Sequence, residues 1–586
     1  MVLNFCISEF IILSPCFIVI VHFSDNFIIL YQNNNAVKWI CQRFIFRYNK
    51  IKNCDITVTP NYIIERMMYM EFNIYKTLYC DVAVVGGGVA GTAAAIEAAR
   101  HGKHTILFEK GTTLGGIATN GYVPQIAGNI EGICLEFARK LDDAGQLRRL
   151  YDKPYYRNPS FEPEYGKLLL EDMVFSAGSR ILYDSTLFYV EMDTDRMIKS
   201  LIFYTKGGYM QVKASMYIDA TGDGDLSALS GVPYEVGGQD FAGLNISSTQ
   251  GSRWAGANLT KYLAAEAAWK KEQQEKGVEN PLPLVYYLET EAIARGEMSR
   301  HVCNRNSGFF RVLLPNTPEN NASFVTFSFH SYYCHNTDAE DLTRQILEQH
   351  QLMKQFHAFL KNHVPGFENL RLVGLGNVPG VRDSRRIFGE YMLKAADVAC
   401  GRKFEDGIAR FPEMFDTHHP TSPDWVFMRH CHIKESEITG SAIMEKETLG
   451  KDCDAQMHPF GIPEGFPVRP NPQDYCDIPY GSLIPRGVDN LLCAGRCCSA
   501  EFHAQGAMRI IGPAMSTGQA AGLAVCVAID RHVFPRELSG IELRKMLINE
   551  GVELDKPCDG YWAELREQEG NYIINNGDFI TLVPKK

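Results

Sequence analysis

The feature that most constrains this chain is the stretch of residues 80–110. It begins with Val82-Ala83-Val84-Val85, a β-branched run that is too short for a helix and that predicts a buried parallel strand. Three glycines with G-x-G-x-x-G spacing follow, and the alanine-rich segment after them predicts a helix with a small-residue face. Residues 105–108 predict a second strand, which ends at Glu109. The stretch therefore predicts a strand–turn–helix–strand unit of a doubly wound α/β sheet.

Each part of this unit has a physical role in holding a dinucleotide. Gly86 permits the tight turn, Gly88 lets the backbone approach a pyrophosphate that any Cβ would block, and Gly91 permits close packing of helix on strand. The unpaired N–H groups of the helix N-terminus bind the pyrophosphate, and Glu109 can accept hydrogen bonds from the adenosine ribose. A glycine-rich turn without a ligand is the alternative. The strands, helix and acid in register favour the dinucleotide.

Two further segments are placed to support the same ligand. The glycine-dense loop 111–121, which contains Gly115 and Gly116, can fold back over the dinucleotide, although an ordinary surface loop has the same composition. Residues 217–226 predict a strand that ends in Ala220-Thr221-Gly222 and a helix that begins near Asp225. Doubly wound folds bind ligands at this carboxyl edge of the sheet. The position after an apolar strand favours cofactor support over a metal loop or a simple turn.

The composition permits a large enzyme and excludes few classes. The chain of 586 residues is long enough for two or more domains. Its net charge of −11, with no compensating basic run, argues against a nucleic-acid surface. Its 17 cysteines, an odd number scattered along the chain, do not indicate a disulfide framework and suit a reducing cytoplasm.

Residues 1–76 differ in composition from the rest of the chain. Phe, Ile, Asn, Tyr and Lys dominate, and no glycine precedes the first motif. The apolar run 10–23 is shorter than a membrane span, is interrupted by Pro15 and His22, and lacks a basic flank. Three interpretations stay open: a start assigned too early, with Met68 or Met70 as the true start; a disordered or poorly packed leader; and a membrane anchor. The sequence favours the first.

Between the two ends, hydrophobic periodicity predicts helices over 130–150, 165–177, 254–276 and 338–360, and strands over 181–204 and 302–330. Cys334-His335, His418-His419 and His430-Cys431-His432 lack the spacing of metal ligands, so no metal site is expected. A loop-to-helix junction with three arginines, Arg382, Arg385 and Arg386, is predicted next. The planar guanidinium suits a carboxylate or phosphate, and internal ion pairs that fix a domain interface are an equal alternative.

The last informative segment predicts a strand, a polar loop and a helix that begins at Pro513, because the fixed φ of proline suits the first helical position. Gly518 and Gly522 lie on one face of this helix and permit close packing. A helix N-terminus directed at a cofactor ring stabilises negative charge on it. The loop before the helix contains His503, a residue type that titrates near neutrality, and Arg509.

Together, the G-x-G-x-x-G unit, the DATGDGDL strand end, the R-x-S-R-R-I-x-G-E-Y segment and the NLLCAGR…GPAMSTGQAAGLA ending resemble the FAD-dependent oxidoreductase family, a glutathione-reductase-like group of flavoproteins. The resemblance covers residues 79–532. It implies an α/β fold in which a Rossmann-type, glutathione-reductase-like FAD domain is interrupted by a mixed α+β substrate domain. The expected divisions are a leader at 1–76, FAD-domain parts at 77–236 and 476–535, a substrate or cap domain at 237–475, and a C-terminal extension at 536–586.

The resemblance also implies non-covalently bound FAD. The residues expected to bind it are Gly86, Gly88, Val89, Ala90, Gly91, Glu109, Lys110, Gly115, Gly116, Ala220, Thr221, Gly222, Gly495, Arg496, Gly512 and Pro513. We expect the substrate chemistry at His503 and Arg509, with Arg382 and Arg386 closing the site from the other domain. Hydrogen-bonding support of the FAD pyrophosphate and the loop is the alternative role of His503 and Arg509.

The expected activity is hydride transfer between flavin N5 and a small organic substrate, for which the arginines favour an anion. An electron-transfer subunit that serves a partner redox protein and a non-catalytic flavin-binding protein are the alternatives. The cluster-type cysteine runs of electron-transfer relatives are missing, and Cys493, Cys497 and Cys498 lack redox C-x-x-C spacing, which favours the enzyme. No nucleic-acid or membrane partner is expected, a homo-oligomer is left open, and the expected location is the cytoplasm.

The interpretation of the leader is tested by deletion. If the residues before Met68 are not part of the folded enzyme, a chain that begins at Met68 should keep its flavin content and its melting temperature. Flavin absorbance and a thermal melt of both chains measure this. Loss of flavin on deletion, or release of the protein from a membrane fraction, would contradict the interpretation.

Overall fold

The computed structural model describes residues 18–23, 26–31, 72–148, 159–194, 196–278, 281–302, 312–412, 417–421, 426–427 and 475–555. The chain divides into two compact units, Met1–Asn73 and Ile74–Lys586. In the first unit, strands β1 (Ile18–Phe23) and β2 (Asn26–Tyr31) form an antiparallel hairpin. The other residues of the predicted leader up to 71 lie outside the described residues.

The second unit contains all remaining elements. Its strands are β3 (Ile74–Val85), β4 (Thr105–Phe108), β5 (Leu147–Arg148), β6 (Ser160–Phe161), β7 (Arg180–Leu182), β8 (Thr186–Thr194), β9 (Met197–Thr205), β10 (Gly208–Asp219), β11 (Tyr234–Val236), β12 (Ser248–Ala257), β13 (Val312–Leu313), β14 (Ala322–Ser331), β15 (Arg371–Leu375), β16 (Arg385–Ile387), β17 (Gly407–Phe411), β18 (Thr417–His418), β19 (Val426–Phe427), β20 (Cys476–Pro479) and β21 (Leu491–Cys493). Its α-helices are α1 (Val89–Arg100), α2 (Gly132–Asp143), α3 (Pro163–Ala177), α4 (Asp225–Leu229), α5 (Leu259–Glu275), α6 (Leu284–Ala294), α7 (Ala339–His363), α8 (Ala395–Cys400), α9 (Gly506–Arg509), α10 (Ile511–Arg531) and α11 (Gly540–Asn549).

The largest sheet has seven strands and forms the centre of the second unit. Strands β7, β4, β3, β10 and β21 run parallel in that order. Strand β9 pairs antiparallel with the first half of β10, and β8 pairs antiparallel with β9 at the edge of the sheet. Val82, Val84 and Ile218 are completely buried, because both faces of these strands are covered. This is the mixed α/β fold with a parallel sheet that the sequence predicts.

The register of this sheet brings four strand ends together. Asp219, the last residue of β10, pairs with Val85 at the end of β3 and with Cys493 at the end of β21. Val85 also pairs with Phe108 at the end of β4. The carboxyl ends of these strands therefore meet at one edge, which is where parallel α/β sheets bind their ligands.

Helices α1 and α10 pack against each other through glycines. A Cβ on Gly518 would lie 3.0 Å from the Cα of Ala90, and a Cβ on Gly522 would lie 2.8 Å from the Cβ of Glu97. The side-chain amide of Gln519 fills the same interface, since its Nε2 donates to Glu97 Oε2 at 3.1 Å. The close packing that the glycine spacing predicts is confirmed.

A second, antiparallel sheet lies within the predicted substrate domain, in the order β13-β14-β12-β15. Trp254 of β12 is completely buried against helix α7, where its ring meets Phe356 edge-on with centroids 5.7 Å apart. Trp254 therefore belongs to a strand, which corrects the helix predicted over 254–276. The helix begins at Leu259, because the side chain of Asn258 caps it by accepting from the Lys261 N–H at 2.9 Å.

Three other element boundaries differ from the prediction. The helix predicted over 130–150 ends at Asp143, because Gly145 has a positive φ of 67° and the chain continues into β5. The final helix begins at Ile511, two residues before Pro513, because the extended Ile510 already accepts the first helical hydrogen bond from Ala514. The arginine segment leads into the short strand β16 rather than into a helix.

Within the described part of the chain, α10 is the helix that is long and apolar enough to cross a membrane, with a mean hydropathy of 1.2. Its apolar window is 100% buried inside the protein. The helix packs against α1 and β17 as part of the core.

The glycine interface generates a stability prediction. Gly518→Ala places a methyl group against the backbone of Ala90, so we expect the free energy of unfolding to fall by about 1–3 kcal/mol. Chemical denaturation followed by circular dichroism measures the change. Lys271→Ala on the exposed part of α5 is the control and should have almost no effect. Equal stability of Gly518→Ala and the parent chain would contradict the packing argument.

Candidate functional site

The turn between β3 and α1 has the geometry that a dinucleotide needs. Gly86 has a positive φ of 103°, and a Cβ on Gly91 would collide with the carbonyl oxygen of Gly86. By contrast, a Cβ on Gly88 would meet no atom within 4 Å. Gly88 precedes α1 without a side-chain cap, and no acidic residue occupies the first turn that contains Val89, Ala90 and Gly91. Open space therefore lies in front of uncapped N–H groups at the positive end of a helix.

The second glycine loop folds back onto this turn. The N–H of Gly115 donates to the carbonyl of Gly87 at 2.8 Å, and a Cβ on Gly116 would lie 3.1 Å from the Cα of Gly88. Gly115 and Gly116 both have positive φ, which favours glycine at these positions. The loop continues to Asn120, whose carbonyl accepts from Asn377 N–H at 2.9 Å beside the antiparallel sheet.

Glu109 lies beside the same turn. Its Oε2 accepts from the Gly87 N–H at 2.6 Å and its Oε1 accepts from the Gly111 N–H at 2.7 Å. Each carboxylate oxygen can accept more than one hydrogen bond, so these contacts orient the group while leaving acceptor capacity for ribose hydroxyls. Lys110 is exposed next to it, and its charge lowers the pKa of Asp225 against the larger raising effect of burial.

The end of β10 is held by a buried carboxylate. Asp219 is completely buried, and its oxygens accept from Thr221 Oγ1 at 2.7 Å and Ser227 Oγ at 2.7 Å. The Ala220 N–H donates to the Val85 carbonyl at 2.8 Å, which fixes the two strand ends together. The predicted cofactor residues Ala220, Thr221 and Gly222 thus lie directly beside the first glycine turn.

The C-terminal strand completes this edge. Gly495 follows β21 with a positive φ of 77°, and a Cβ on it would lie 2.8 Å from the Cβ of Ala90 in the first turn of α1. Arg496 donates from Nε to the Gly222 carbonyl at 3.0 Å and from Nη2 to Asp223 Oδ1 at 2.7 Å. Arg496 therefore fastens the β10 turn to β21, a positioning role in addition to the predicted cofactor contact.

Gly512 and Pro513 lie at the start of α10. The Gly512 N–H donates to the Ala127 carbonyl at 2.9 Å, and a Cβ on Gly128 would lie 2.6 Å from Pro513 Cδ. This end of the helix is therefore packed against residues 127–129, and the Gly512 N–H is already used.

The residues present fit FAD. A cradle in front of Gly88 that a larger side chain would fill, uncapped N–H groups of α1, and an oriented carboxylate at the end of β4 match the pyrophosphate and the adenosine ribose of a dinucleotide. The chain matches the FAD dependent oxidoreductase family over residues 81–547. The protein belongs to this family. It is an enzyme, and its cofactor is FAD.

Individual curated relatives align with this chain over only part of their length. A tRNA uridine 5-carboxymethylaminomethyl modification enzyme of Clostridium novyi is 23% identical over 351 residues, which is 54% of this chain and 53% of that protein. A vinyl phenol reductase of Lactiplantibacillus plantarum is 61% identical over 36 residues, 6% of this chain and 7% of that one. The chain thus spans about half the length of the first of these curated relatives and a small part of the second.

Solved structures show weaker likeness. A geranylgeranyl bacteriochlorophyll reductase-like protein of Thermoplasma acidophilum aligns with a TM-score of 0.39 at 14% identity, covering 81% of this chain and 85% of that chain. A p-nitrophenol 4-monooxygenase of Pseudomonas putida aligns with a TM-score of 0.36 at 10% identity, covering 86% and 95%.

The arginine segment lies next to the edge where β3, β10 and β21 end, which is the predicted FAD edge. The Arg385 Nη1 lies 2.8 Å from Asp225 Oδ1, and the Arg386 Nη2 lies 3.2 Å from Glu235 Oε2. These contacts match the ion-pair alternative for the segment. Arg382 instead donates to the Ser247 carbonyl at 2.7 Å and lies 3.3 Å from His330 Nε2.

The predicted catalytic residues meet through an aromatic cluster. The guanidinium of Arg386 lies over the ring of Phe502 at 5.5 Å, and Phe502 contacts the His503 ring with centroids 5.2 Å apart. Phe241 packs on Phe502 at 5.6 Å. The structure therefore brings Arg386 and the loop of His503 together. Their catalytic roles stay predictions.

Several residues of this region were missed by sequence reasoning. His330 and His418 are buried with ring centroids 5.3 Å apart, beside Arg382. Asp383 is completely buried and accepts from the Ile246 N–H at 2.6 Å. In the sequence, Asp383 is one charged residue inside the arginine motif, His330 is a histidine in a predicted strand, and His418 belongs to a His-His pair without metal-ligand spacing. None of these patterns predicts that the residues lie close together. His430, Cys431 and His432 lie outside the described residues.

Two clusters in the described part of the chain have the composition of metal ligands: Asp219 with Cys493 and Cys497, and Glu97 with His101 and Glu550. The oxygens of Asp219 are engaged by Thr221 and Ser227, and burial raises the pKa of the Cys493 thiol. His101 lies 3.2 Å from Glu97 and 3.1 Å from Glu550, as an ion pair at the surface does. These contacts account for both clusters without a metal.

Two surface hollows of about 610 and 530 Å³ lie around Asn258, Lys261 and Asn320 in the predicted substrate domain. No predicted site residue lines them. We therefore assign the site from the strand ends rather than from these hollows.

The open space at Gly88 generates a prediction about cofactor binding. Gly88→Val has room for its side chain, and the extended backbone of Gly88 (φ −66°, ψ 177°) suits any residue, so the apoprotein should melt as the parent does. The side chain occupies the pyrophosphate space, so FAD affinity should fall about a hundredfold or more, as measured by fluorescence titration. Gly91→Ala is the matched contrast, because its Cβ meets backbone and should destabilise the apoprotein itself. Normal FAD binding by Gly88→Val would place the pyrophosphate elsewhere.

Proposed function

We propose that this enzyme transfers a hydride between flavin N5 and a small anionic organic substrate. FAD, when bound, supplies the two-electron chemistry, and the protein supplies binding, orientation and charge. We also infer that the fold is of the glutathione-reductase-like subtype, on the basis of the antiparallel strands β8 and β9, which lie between β7 and β10 along the chain.

The main support for this proposal is a set of contacts that joins the predicted FAD edge to the arginine segment. The Arg496 side chain, which is anchored on Gly222 and Asp223 at the FAD edge, also donates from Nη1 to the carbonyl of Val381. Val381 directly precedes the arginine segment. Arg382 and Arg386 are therefore attached to the same strand ends that hold the cofactor, rather than to a remote surface.

The side chains around this attachment have defined tasks in the proposal. Arg386 and Arg509 hold an anionic group of the substrate, since guanidinium groups bind carboxylates in a fixed orientation. His503 gives or takes the proton that accompanies hydride transfer. Phe502 and Phe241 exclude water beside them, because both rings pack on each other.

The two alternative functions require different features at the flavin. An electron-transfer subunit needs metal clusters or an exposed flavin edge, and a non-catalytic flavin protein needs no proton donor at the flavin. The Cys493, Cys497 and Cys498 side chains are buried, and burial raises the pKa of the Cys493 and Cys498 thiols, which disfavours metal or thiolate redox chemistry there.

Substitution tests the proposed roles. The purified protein should be yellow and should release FAD, and an anaerobic screen of organic acids should find one that bleaches the flavin. With that substrate, His503→Ala and Arg509→Ala should keep full flavin occupancy while turnover falls about a hundredfold or more.

Two exposed residues provide matched controls. His104→Ala and Arg295→Ala remove a histidine and an arginine away from the site and should keep turnover unchanged. Unchanged turnover in the His503 and Arg509 variants, or a loss in proportion to lost FAD, would move the catalytic assignment to other residues.

A further inference from the structure

The strongest observation outside the roles assigned above is a buried group of charges around Asp383. This carboxylate is 0% exposed. Asn245 Nδ2 donates to its Oδ2 at 2.9 Å and the Ile246 N–H donates to its Oδ1 at 2.6 Å. Asn336 Nδ2 donates to the backbone carbonyl of the same residue at 2.9 Å. The carboxylate is thus held rigidly between the arginine segment and the chain that enters β12.

Two guanidinium groups face this carboxylate. Arg386 Nη1 lies 3.6 Å from Asp383 Oδ2, which is within ion-pair distance but too long for a hydrogen bond. Arg509 lies close enough for its charge to lower the pKa of the Asp383 carboxyl. Asp383 therefore lies between a residue of β16 and a residue of α9, the two elements that meet at the proposed substrate site.

Arg386 has unused hydrogen-bonding capacity although it is almost completely buried. Its side chain is 1% exposed, and its Nη2 donates to the Gly237 carbonyl at 2.8 Å and to Glu235. Among the residues that the structure describes, neither its Nε nor its Nη1 has a hydrogen-bond acceptor. Buried guanidinium N–H groups without acceptors are costly, and an entering oxygen anion would satisfy them.

We propose that Arg386 is the carboxylate-binding residue of the substrate site, and that Asp383 is a positioning residue that takes up one proton when the carboxylate enters. This inference rests on the proposed function and names the chemical class of its substrate. The entering carboxylate brings one negative charge next to Asp383. Uptake of one proton from solvent converts the Asp383 carboxylate to the neutral acid, so the total charge of the buried group is unchanged.

The electrostatics of the site favour this exchange. Burial raises the pKa of Asp383 to about 6, even though Arg386, Asn245, Ile246 and Arg509 all act to lower it. The group is therefore ionised but close to titration near neutral pH, and an additional anion raises its proton affinity further. Below about pH 6 the carboxyl is already neutral, so the anion enters without competition. Carboxylate affinity should thus increase as the pH falls.

Benzoate is a suitable probe, because its carboxylate fits Arg386 and its ring can pack on Phe502, which the guanidinium already faces at 5.5 Å. We would titrate the FAD-loaded protein with benzoate and follow the flavin absorbance. The dissociation constant should be about tenfold or more lower at about pH 5 than at about pH 8, a range in which benzoate stays ionised. Asp383→Asn should bind benzoate with little dependence on pH.

The control is Glu542→Gln, which removes a carboxylate from an exposed pair with Arg531 and should keep the parent's pH dependence. If Asp383→Asn does not fold, proton release or uptake by the parent protein decides the question. Benzoate binding at about pH 7 in weak buffer with a pH indicator should take up close to one proton.

Each failure has a distinct meaning. A protein that contains no FAD would overturn the proposed function itself. A yellow protein that does not respond to benzoate or acetate at any pH would overturn the carboxylate site. Binding without proton uptake, or with the same pH dependence in Asp383→Asn as in the parent, would overturn the role of Asp383.

Discussion

The structure depends on contacts in which backbone meets backbone with no side chain between. At Gly86, Gly91 and Gly518 a Cβ would collide with main-chain atoms of the β10 end, of the first turn or of α1. These contacts set the distance between the central sheet, the first helix and the last helix. The predicted FAD edge lies where the sheet and these two helices meet. Its shape therefore depends on the absence of side chains at these three glycines. A side chain at any one of these three positions would disturb both the predicted cofactor site and the core.

The first glycine unit was predictable in detail because its chemistry is local. Strand, turn, helix and Glu109 follow one another within a short stretch, and each residue's task depends on its neighbours in sequence. The structure confirms their elements, and it places the glycine loop of Gly115 and Gly116 against the first turn, as the fold-back of that loop requires. The prediction failed where the same kind of sequence occurs both in helices and in strands. Trp254 begins an alanine-rich segment that looks helical, yet burial against Phe356 places it in a strand.

The ion-pair partners of the arginine segment could not be predicted from the sequence. Arg385 and Arg386 have few acids near them along the chain, so an anion-binding role and an ion-pair role were equal alternatives. Their partners Asp225 and Glu235 come from another part of the chain: Asp225 begins α4, and Glu235 lies opposite Arg386 in the pairing of β11 with β16. The same pairing buries Asp383 beside them. Long-range strand pairing therefore decides which of these charges are compensated, and no local pattern encodes it.

The attachment of the arginine segment to the FAD edge uses a backbone carbonyl. Arg496 binds the oxygen of Val381, and the identity of the side chain at that position does not enter the contact. A substitution at position 381 that fits the buried space of the Val381 side chain therefore keeps this contact. The Val381 contact therefore tolerates changes of side chain in the arginine segment, whereas the Arg385–Asp225 ion pair links the same two parts of the protein through specific side chains.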